Sequence, residues 1–273
     1  MFTWIRYNIK GDKWIWLIAV ILSIISLLSV YSATGSLAYQ KMGEHDKALE
    51  FLGKCLAIFI KQLGPEHPNV ATLYHNIGEI YTDKSEHDKA LEFQQKSLDI
   101  ELKQLEPDHP NIAHSYLGFG RIYREKGEYD KALEFYNKAL VISLKHLHPY
   151  HHSVLSCYNK IGSTHSAKGD TIKALEFYHK GLNSCLKQPQ PDQLAIADTY
   201  DNIGQVHKDK GEYTQALEFY HKSWAIKLKK LNADHLKMSD SYCLIGSVHE
   251  DKGKYEQALE FYHKAHAIRL KKL

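Results

Sequence analysis

Lys89-Ala90-Leu91-Glu92-Phe93 is the stretch whose reading decides the fold. It returns at 47–51, 131–135 and 173–177, and again at 215–219 and 257–261 with Gln215 and Gln257 in first place. The alanines, Ala48, Ala90, Ala132, Ala174, Ala216 and Ala258, are spaced by 42 residues throughout. A glycine column, Gly78, Gly120, Gly162, Gly204 and Gly246, keeps the same step. A fixed period of this length marks stacked supersecondary units, each unable to bury its apolar face alone.

One unit, 69–104, shows the pattern in full. Val70, Leu73, Tyr74, Ile77, Ile80 and Tyr81 recur at the i, i+3, i+4, i+7 spacing of a helix. Asn69 is placed to cap it. A turn follows at 83–87. In three units that turn carries a glycine and then an aromatic: Gly127 with Tyr129, Gly211 with Tyr213, Gly253 with Tyr255. A second helix holds Ala90, Leu91, Phe93, Leu98, Ile100 and Leu102, and Asp46, Asp88, Asp130 and Thr214 are placed to cap such helices. Second helices are expected near 46–62, 88–104, 130–147, 172–187, 214–231 and 256–273, in about six repeats spanning 31–273.

The small residues have a steric reading. Gly78 and Ala90 face each other where two antiparallel helices cross closely, and a larger side chain there costs about 1–3 kcal/mol. Tyr81 and Phe93 fill the space beside them. Glu92 and Lys96 form an i, i+4 pair that every unit repeats, so these carboxylates read as a solvated face and not as catalytic groups. In the fourth second helix Gly181, Asn183 and Ser184 replace Ala139, Val141 and Ile142, which predicts a weaker, bent joint.

The N-terminal segment is different. No charged residue lies between Trp14 and Gln40, and 14–30 is apolar except for Ser23, Ser26 and Ser29. About 20 such residues cross roughly 30 Å of hydrocarbon. Trp14 and Trp16 suit an interface, and Arg6, Lys10 and Lys13 place the leading residues in the cytoplasm. The reading is a basic lead at 1–13 and a transmembrane or signal-anchor helix at 14–37. A cleaved signal peptide and a cap helix packed on the first repeat stand as alternatives. Counting back one period from Ile80 and Tyr81 reaches Ala38 and Tyr39, so the apolar helix runs on into the first repeat.

Composition excludes several classes. The net charge of +3, with 25% charged residues, supplies no basic stripe for nucleic acid. Cys55, Cys157, Cys185 and Cys243 form no CxxC pair and read as free thiols. His146, His148, His151 and His152 lie close together near Cys157, a donor set zinc could use. Pro149 breaks that run and no other unit repeats it, so no metal site is expected. His165, His207 and His249 share the column of Tyr39, Tyr81 and Tyr123 and read as packing residues. No G-x-S-x-G, Walker loop, GxGxxG or HExxH occurs, so neither an enzyme nor a cofactor is expected.

The set Tyr74, Ile77, Gly78, Tyr81, Ala90, Phe93 and Ser97, and its equivalent Tyr116, Phe119, Gly120, Tyr123, Ala132, Phe135 and Ala139, resembles the tetratricopeptide repeat. The 42-residue period and the connectors Gly64-Pro65-Glu66-His67-Pro68-Asn69 and Glu106-Pro107-Asp108-His109-Pro110-Asn111 resemble the kinesin-light-chain type. The resemblance runs from Tyr31 to Leu273. It implies an all-α fold: a right-handed α-solenoid of stacked antiparallel helix pairs, preceded by one apolar N-terminal helix. Its concave groove is lined by first helices. The family's groove columns map onto Thr72, His75, Glu79, Thr82, Asp83, His114, Leu117, Arg121, Arg124, Glu125, Ser156, Asn159, Ser163, Ser166, Asp198, Asp201, Gln205, Lys208, Asp209, Asp240, Cys243, Ser247 and Glu250. The Lys/Asn/Arg clamp of chaperone-binding arrays is not evident, since the matching positions hold His75, Glu79, Leu117, Asp201 and Gln205. Kinesin light chains bind acidic, Trp-containing peptides. Arg121 and Arg124 suit such a ligand, whereas Asp198, Asp201, Asp209 and Asp240 suit a basic one, and the sign stays open.

Residues 8–39 resemble the first transmembrane helix of the SEDS cell-division and rod-shape polymerases, which implies a borrowed leader without polymerase chemistry. The expected function is a membrane-anchored scaffold, single-pass with a cytoplasmic N-terminus, that binds a protein or peptide in its groove; secretion or a cytoplasmic location is the alternative. The competing reading is a fragment or fusion of a membrane cell-envelope protein with incidental repeats. The last repeat leaves an uncapped stacking face, for which self-association, truncation or a partner on that face are the expectations.

Overall fold

A computed structural model describes residues 45–146, 152–232 and 235–271 of the chain. The basic lead, the apolar segment 14–37 and its junction with the first repeat lie outside the described residues. These hold eleven helices and no strand. In order they are α1 (His45–Leu63), α2 (Pro68–Asp83), α3 (His87–Gln104), α4 (Pro110–Glu125), α5 (Tyr129–His146), α6 (His152–Ala167), α7 (Thr171–Cys185), α8 (Gln193–Asp209), α9 (Tyr213–Lys230), α10 (Leu236–Asp251) and α11 (Tyr255–Leu270). The chain divides into two compact units between Glu106 and Pro107. In the first, α2 pairs with α3 and α1 packs on α2. In the second, the pairs α4/α5, α6/α7, α8/α9 and α10/α11 stack in sequence. This is a tetratricopeptide-type α-solenoid architecture in each unit.

Each pair is closed by a turn that needs a left-handed residue. Gly127, Gly169, Gly211 and Gly253 have φ between +71° and +87°. There the Glu128 N–H bonds the Tyr123 carbonyl at 2.9 Å and the Gly127 N–H bonds that of Arg124 at 3.0 Å, which satisfies the last carbonyls of the first helix. The α2–α3 turn makes the same bonds with Ser85, at φ 59°.

The caps differ from the sequence expectation. Pro68 and Pro110 take the first helical position, where a missing N–H is harmless. That makes His67 and His109 the capping residues, each accepting through Nδ1 from the N–H of Asn69 or Asn111 at 3.2 Å. Asn69 is therefore the second residue of α2. His235 caps α10 in the same way, and Asp192 caps α8. Among the second helices the tight turn starts the helix early. Asp46, Asp88, Asp130 and Thr214 fall inside the first turn, and Glu86 and Glu212 occupy the cap without a side-chain bond. Asp46 and Asp130 instead reach Lys84 and Lys168 of the adjoining pair. Asp170 does cap α7, accepting from the Lys173 N–H.

Between the paired helices, Tyr81 stacks on Phe93 and Tyr123 on Phe135, with centroids 5.5 Å apart. His165, His207 and His249 stack on Phe177, Phe219 and Phe261 at the same distance, with planes within 11°. The histidines thus pack where the earlier repeats place tyrosine. The exposed Glu–Lys pairs form at 2.6 Å in five units. Each of those lysines also lies about 5 Å above the phenylalanine of its own helix, so its stem roofs the aromatic stack.

The glycine column has a different neighbour from the one expected. At Gly162, Gly204 and Gly246 a Cβ would meet the ring of Tyr178, Tyr220 or Tyr262 at 2.7, 2.6 or 2.9 Å, and Gly120 faces Tyr136 likewise. Gly78 instead faces its alanine, through the Ala90 carbonyl at 3.3 Å, with Gln94 in the tyrosine position. Gly181 does not break α7, which runs through it to Cys185; a Cβ there would meet Leu155 at 2.8 Å. The glycine serves close approach to α6. The helix is nonetheless shorter than α5, 15 residues against 18.

Candidate partner-binding groove

The first helices bury one face and turn the other outward. On α4, Ile112, Ala113, Phe119 and Ile122 are buried, leaving His114, Leu117, Arg121 and Arg124 at or near the surface. On α6, Val154, Leu155, Cys157 and Ile161 are buried and Ser156, Asn159 and Ser163 are half-exposed. Asp198, Asn202 and Gln205 have the same status on α8.

In the second unit these faces converge on a cleft of about 460 Å³. Its lining includes Arg124 of α4, His152, Leu155, Ser156, Asn159, Lys160 and Ser163 of α6, and Asp198 and Asn202 of α8, with Asp192 and Ala195 at the α8 start. Five of the residues expected at the groove, Arg124, Ser156, Asn159, Ser163 and Asp198, are thereby brought together. Asn159 donates to the Thr199 hydroxyl at 2.8 Å and ties the α6 wall to α8. Ser163 bonds the Lys160 carbonyl at 3.0 Å.

The other expected residues have other settings. In the first unit, Thr72 bonds the Pro68 carbonyl, His75 contacts Gln94 at 3.0 Å, Glu79 is half-buried and Asp83 exposed. Thr82 is buried and bonds the Gly78 carbonyl at 2.8 Å, so it is not a groove residue. In the second unit, His114 is exposed and Leu117 half-buried, while Arg121 pairs with Glu125 at 3.0 Å. Gln205 donates to Asp209 at 2.7 Å and accepts from the Tyr220 hydroxyl at 3.1 Å. Lys208 pairs with Asp251 at 3.1 Å, Asp240 with Arg269 at 3.2 Å, and Ser247 bonds the Leu244 carbonyl. Asp201 is drawn inward to Lys227 of α9, whose side chain is only 3% exposed. Burial raises the Asp201 carboxyl although the adjacent ammonium pulls it down.

Two contributors were not singled out from sequence. The first is the tyrosine column, Tyr136, Tyr178 and Tyr220, which recurs with the 42-residue step and passes under the glycines. Burial pushes the Tyr136 phenol up to about 12, against the pull of the nearby Arg124 charge. The second is Lys227, which occupies a column held by Ser143 and Cys185 in the preceding pairs and so carries no periodic signal.

Cys55, Cys157 and Cys185 are buried, and burial raises their thiols. Among the described residues no three or more His, Cys, Asp or Glu side chains are placed to hold a metal; His148 and His151 lie outside them. No helix of the described residues is long and apolar enough to cross a membrane.

Comparison with known proteins agrees with this architecture. The search of curated proteins returns no match. Among solved structures, the chain is similar to a point variant of a Podosopora anserina protein described as a kinesin light chain with nearly identical TPR-like repeats, at TM-score 0.61 and 22% identity over 74% of this chain and 97% of that one. It is similar to BtubC (BKLC) of P. vanneervenii at TM-score 0.62 and 16% identity, over 85% and 90%. It is also similar to the apo form of RapI at TM-score 0.59 and 13% identity, over 89% and 98%. At these identities the likeness is one of fold. The family model of the tetratricopeptide repeat matches residues 35–103, 71–145 and 193–271. No family match covers residues 1–34, and the resemblance drawn there to SEDS polymerases is without support. With most of its length matched, the chain belongs to the tetratricopeptide repeat family.

Proposed function

We propose that this protein is a non-catalytic scaffold that binds a segment of a partner protein against its first helices. The observation that carries the reading is the convergence of Arg124, Asn159, Ser163 and Asp198, from three successive first helices, on one cleft of about 460 Å³. Polar groups that vary from repeat to repeat, set on a constant apolar frame, are what selective recognition of a polypeptide requires. The role needs no cofactor. Affinity capture with the full chain and with an Asn159→Arg, Ser163→Arg variant tests it. A protein retained by the first and lost by the second, with the melting temperature unchanged, supports the reading. An identical set of retained proteins contradicts it.

Anchoring through 14–37 is part of the proposal and rests on the uncharged run from Trp14 to Gln40. Fractionation of the full chain beside a version starting at Lys41 tests it: only the full chain should sediment with membranes. Equal solubility removes the anchor and leaves the scaffold reading intact.

A further inference from the structure

The second helices end alike. In the second unit Leu144-Lys145, Leu186-Lys187, Leu228-Lys229 and Leu270-Lys271 fall on the 42-residue step, at or just after the last turns of α5, α7, α9 and α11. Each leucine is exposed, 38% at Leu144, 52% at Leu186, 42% at Leu228 and 56% at Leu270. Val141, one turn before Leu144 on α5, is exposed as well. The first unit carries the same pair by itself, with the exposed Leu102 before Lys103 at the end of α3. Apolar residues scattered singly over a surface are ordinary, but a leucine left in water at one fixed place in successive repeats is a patterned patch. Lysine there complements the carbonyl end of its helix. That accounts for the charge and not for the leucines.

The carboxylates at this end of the pairs are engaged. Asp108 is held by Lys145 and by Nε2 of His146, and Asp192 caps α8. Lys187, Lys229 and Lys230 are exposed and have no ion pair among the described residues. The row therefore sets apolar side chains beside uncompensated cations. We infer that this row is a second interaction surface, separate from the cleft, and that it docks on a bilayer carrying anionic phospholipid. The leucines enter the acyl boundary, and the lysine stems run beside them with their ammonium groups at the phosphates. A helical protein segment fits less well. Such a helix is read by a groove that takes residues at i, i+3, i+4 and i+7 of one stripe, whereas these leucines stand one to a repeat, each with a cation at its side. A lipid surface imposes no register, and its negative charge complements the row. The uncharged run from Trp14 to Gln40 gives the same chain an independent reason to lie beside a bilayer. The inference goes beyond the scaffold reading and does not rest on it.

The test uses the full chain with an environment-sensitive fluorescent residue in place of Leu186. It is mixed with vesicles of phosphatidylcholine alone, or of phosphatidylcholine and phosphatidylserine. Anchoring through 14–37 acts on both vesicles alike, so the difference between them reports the row. Emission moves to the blue with the phosphatidylserine vesicles, stays unchanged with phosphatidylcholine alone, and returns when salt is raised. The same fluorescent residue at Asn159, in the cleft, gives no shift. Lys187→Gln with Lys229→Gln and Lys230→Gln, all at exposed sites, lowers the ratio of docked to free array by roughly 100-fold, the weight of three cations at a charged surface. Leu228→Gln with Leu270→Gln lowers it by roughly tenfold and leaves the melting temperature unchanged. Equal shifts with both vesicles, no shift with either, or a triple lysine variant indistinguishable from the original overturns the inference. A shift produced by an added protein and by neither vesicle also overturns it and assigns the row to a polypeptide. In each of these cases the scaffold reading stands, since it rests on the cleft.

Discussion

A Cβ placed on Gly204 would stand 2.6 Å from Cε1 of Tyr220, inside the contact distance of two carbons. The phenol of Tyr220 lies under α8 and ends on the side chain of Gln205 at 3.1 Å. One missing methyl group therefore links the packing of a helix pair to the placement of a residue on its outer face. Gly204→Ala is expected to lower stability by about 1–3 kcal/mol, because the ring must leave its rotamer or the helices must part. Urea unfolding measures this. Combining Gly204→Ala with Tyr220→Leu should recover part of the loss, whereas a loss unchanged by the second substitution places the strain elsewhere.

The stacked histidines give the second unit a response to acid. Burial holds His165 and His249 below the ordinary value of 6.5, against the pull of Asp170 and Asp130 on His165 and together with the push of Lys168 and Lys173. The unfolded chain therefore takes up these protons first. Their contribution to stability is complete above pH 6.5 and is lost as pH falls from there through the lower folded value. The melting temperature should drop as pH falls below 6.5. His165→Tyr with His249→Tyr, which copies the arrangement at Tyr81 and Tyr123, should flatten that drop. A slope unaffected by the pair of substitutions assigns the acid response to other groups.

Ser85 carries a φ of 59° where the other described turns of this kind have glycine. The left-handed region costs an L-residue about 1–2 kcal/mol, part of which glycine gives back as unfolded-state entropy. Ser85→Gly should stabilise the first unit by about 0.5–1 kcal/mol, read as a rise in its denaturation midpoint. A fall in the midpoint shows that the serine hydroxyl contributes more than the strain.

Helix α7 ends early, at Cys185, and Gly181 gives it a residue of low helix propensity in the interior. Amides over 181–191 should exchange faster than those over 139–146 in α5. Equal protection would show that close packing of Gly181 on α6 compensates for the missing side chain.

The period made the fold legible. Alanine and glycine recurring every 42 residues, with helical spacing between them, left helix pairs as the consistent solution, and the aromatic column told correctly that His165, His207 and His249 pack. Local chemistry was read less well. Asn69 and Asp88 look like caps, but proline at the first helical position and an early-starting turn moved the caps to His67 and Glu86. The tyrosines at 136, 178 and 220 repeat as faithfully as the glycines, yet their significance lies in a contact across two helices that spacing alone does not reveal. Lys227 was invisible for the opposite reason: it breaks its column, and a single deviation among many carries meaning only once Asp201 is seen beside it. The groove residues divide accordingly. Arg124, Asn159, Ser163 and Asp198 meet in one cleft, whereas Asp201, Gln205 and Lys208 are engaged with their own chain.

The most direct measurement is site-specific photocrosslinking in the full chain. A photoreactive residue is placed at Asn159 in the cleft in one protein, and at Glu134 on the exposed face of α5 in another. The account requires a partner polypeptide crosslinked from Asn159, with the attachment mapping to a single segment, and none from Glu134. Crosslinks of equal yield from both positions, or from Glu134 alone, would contradict it.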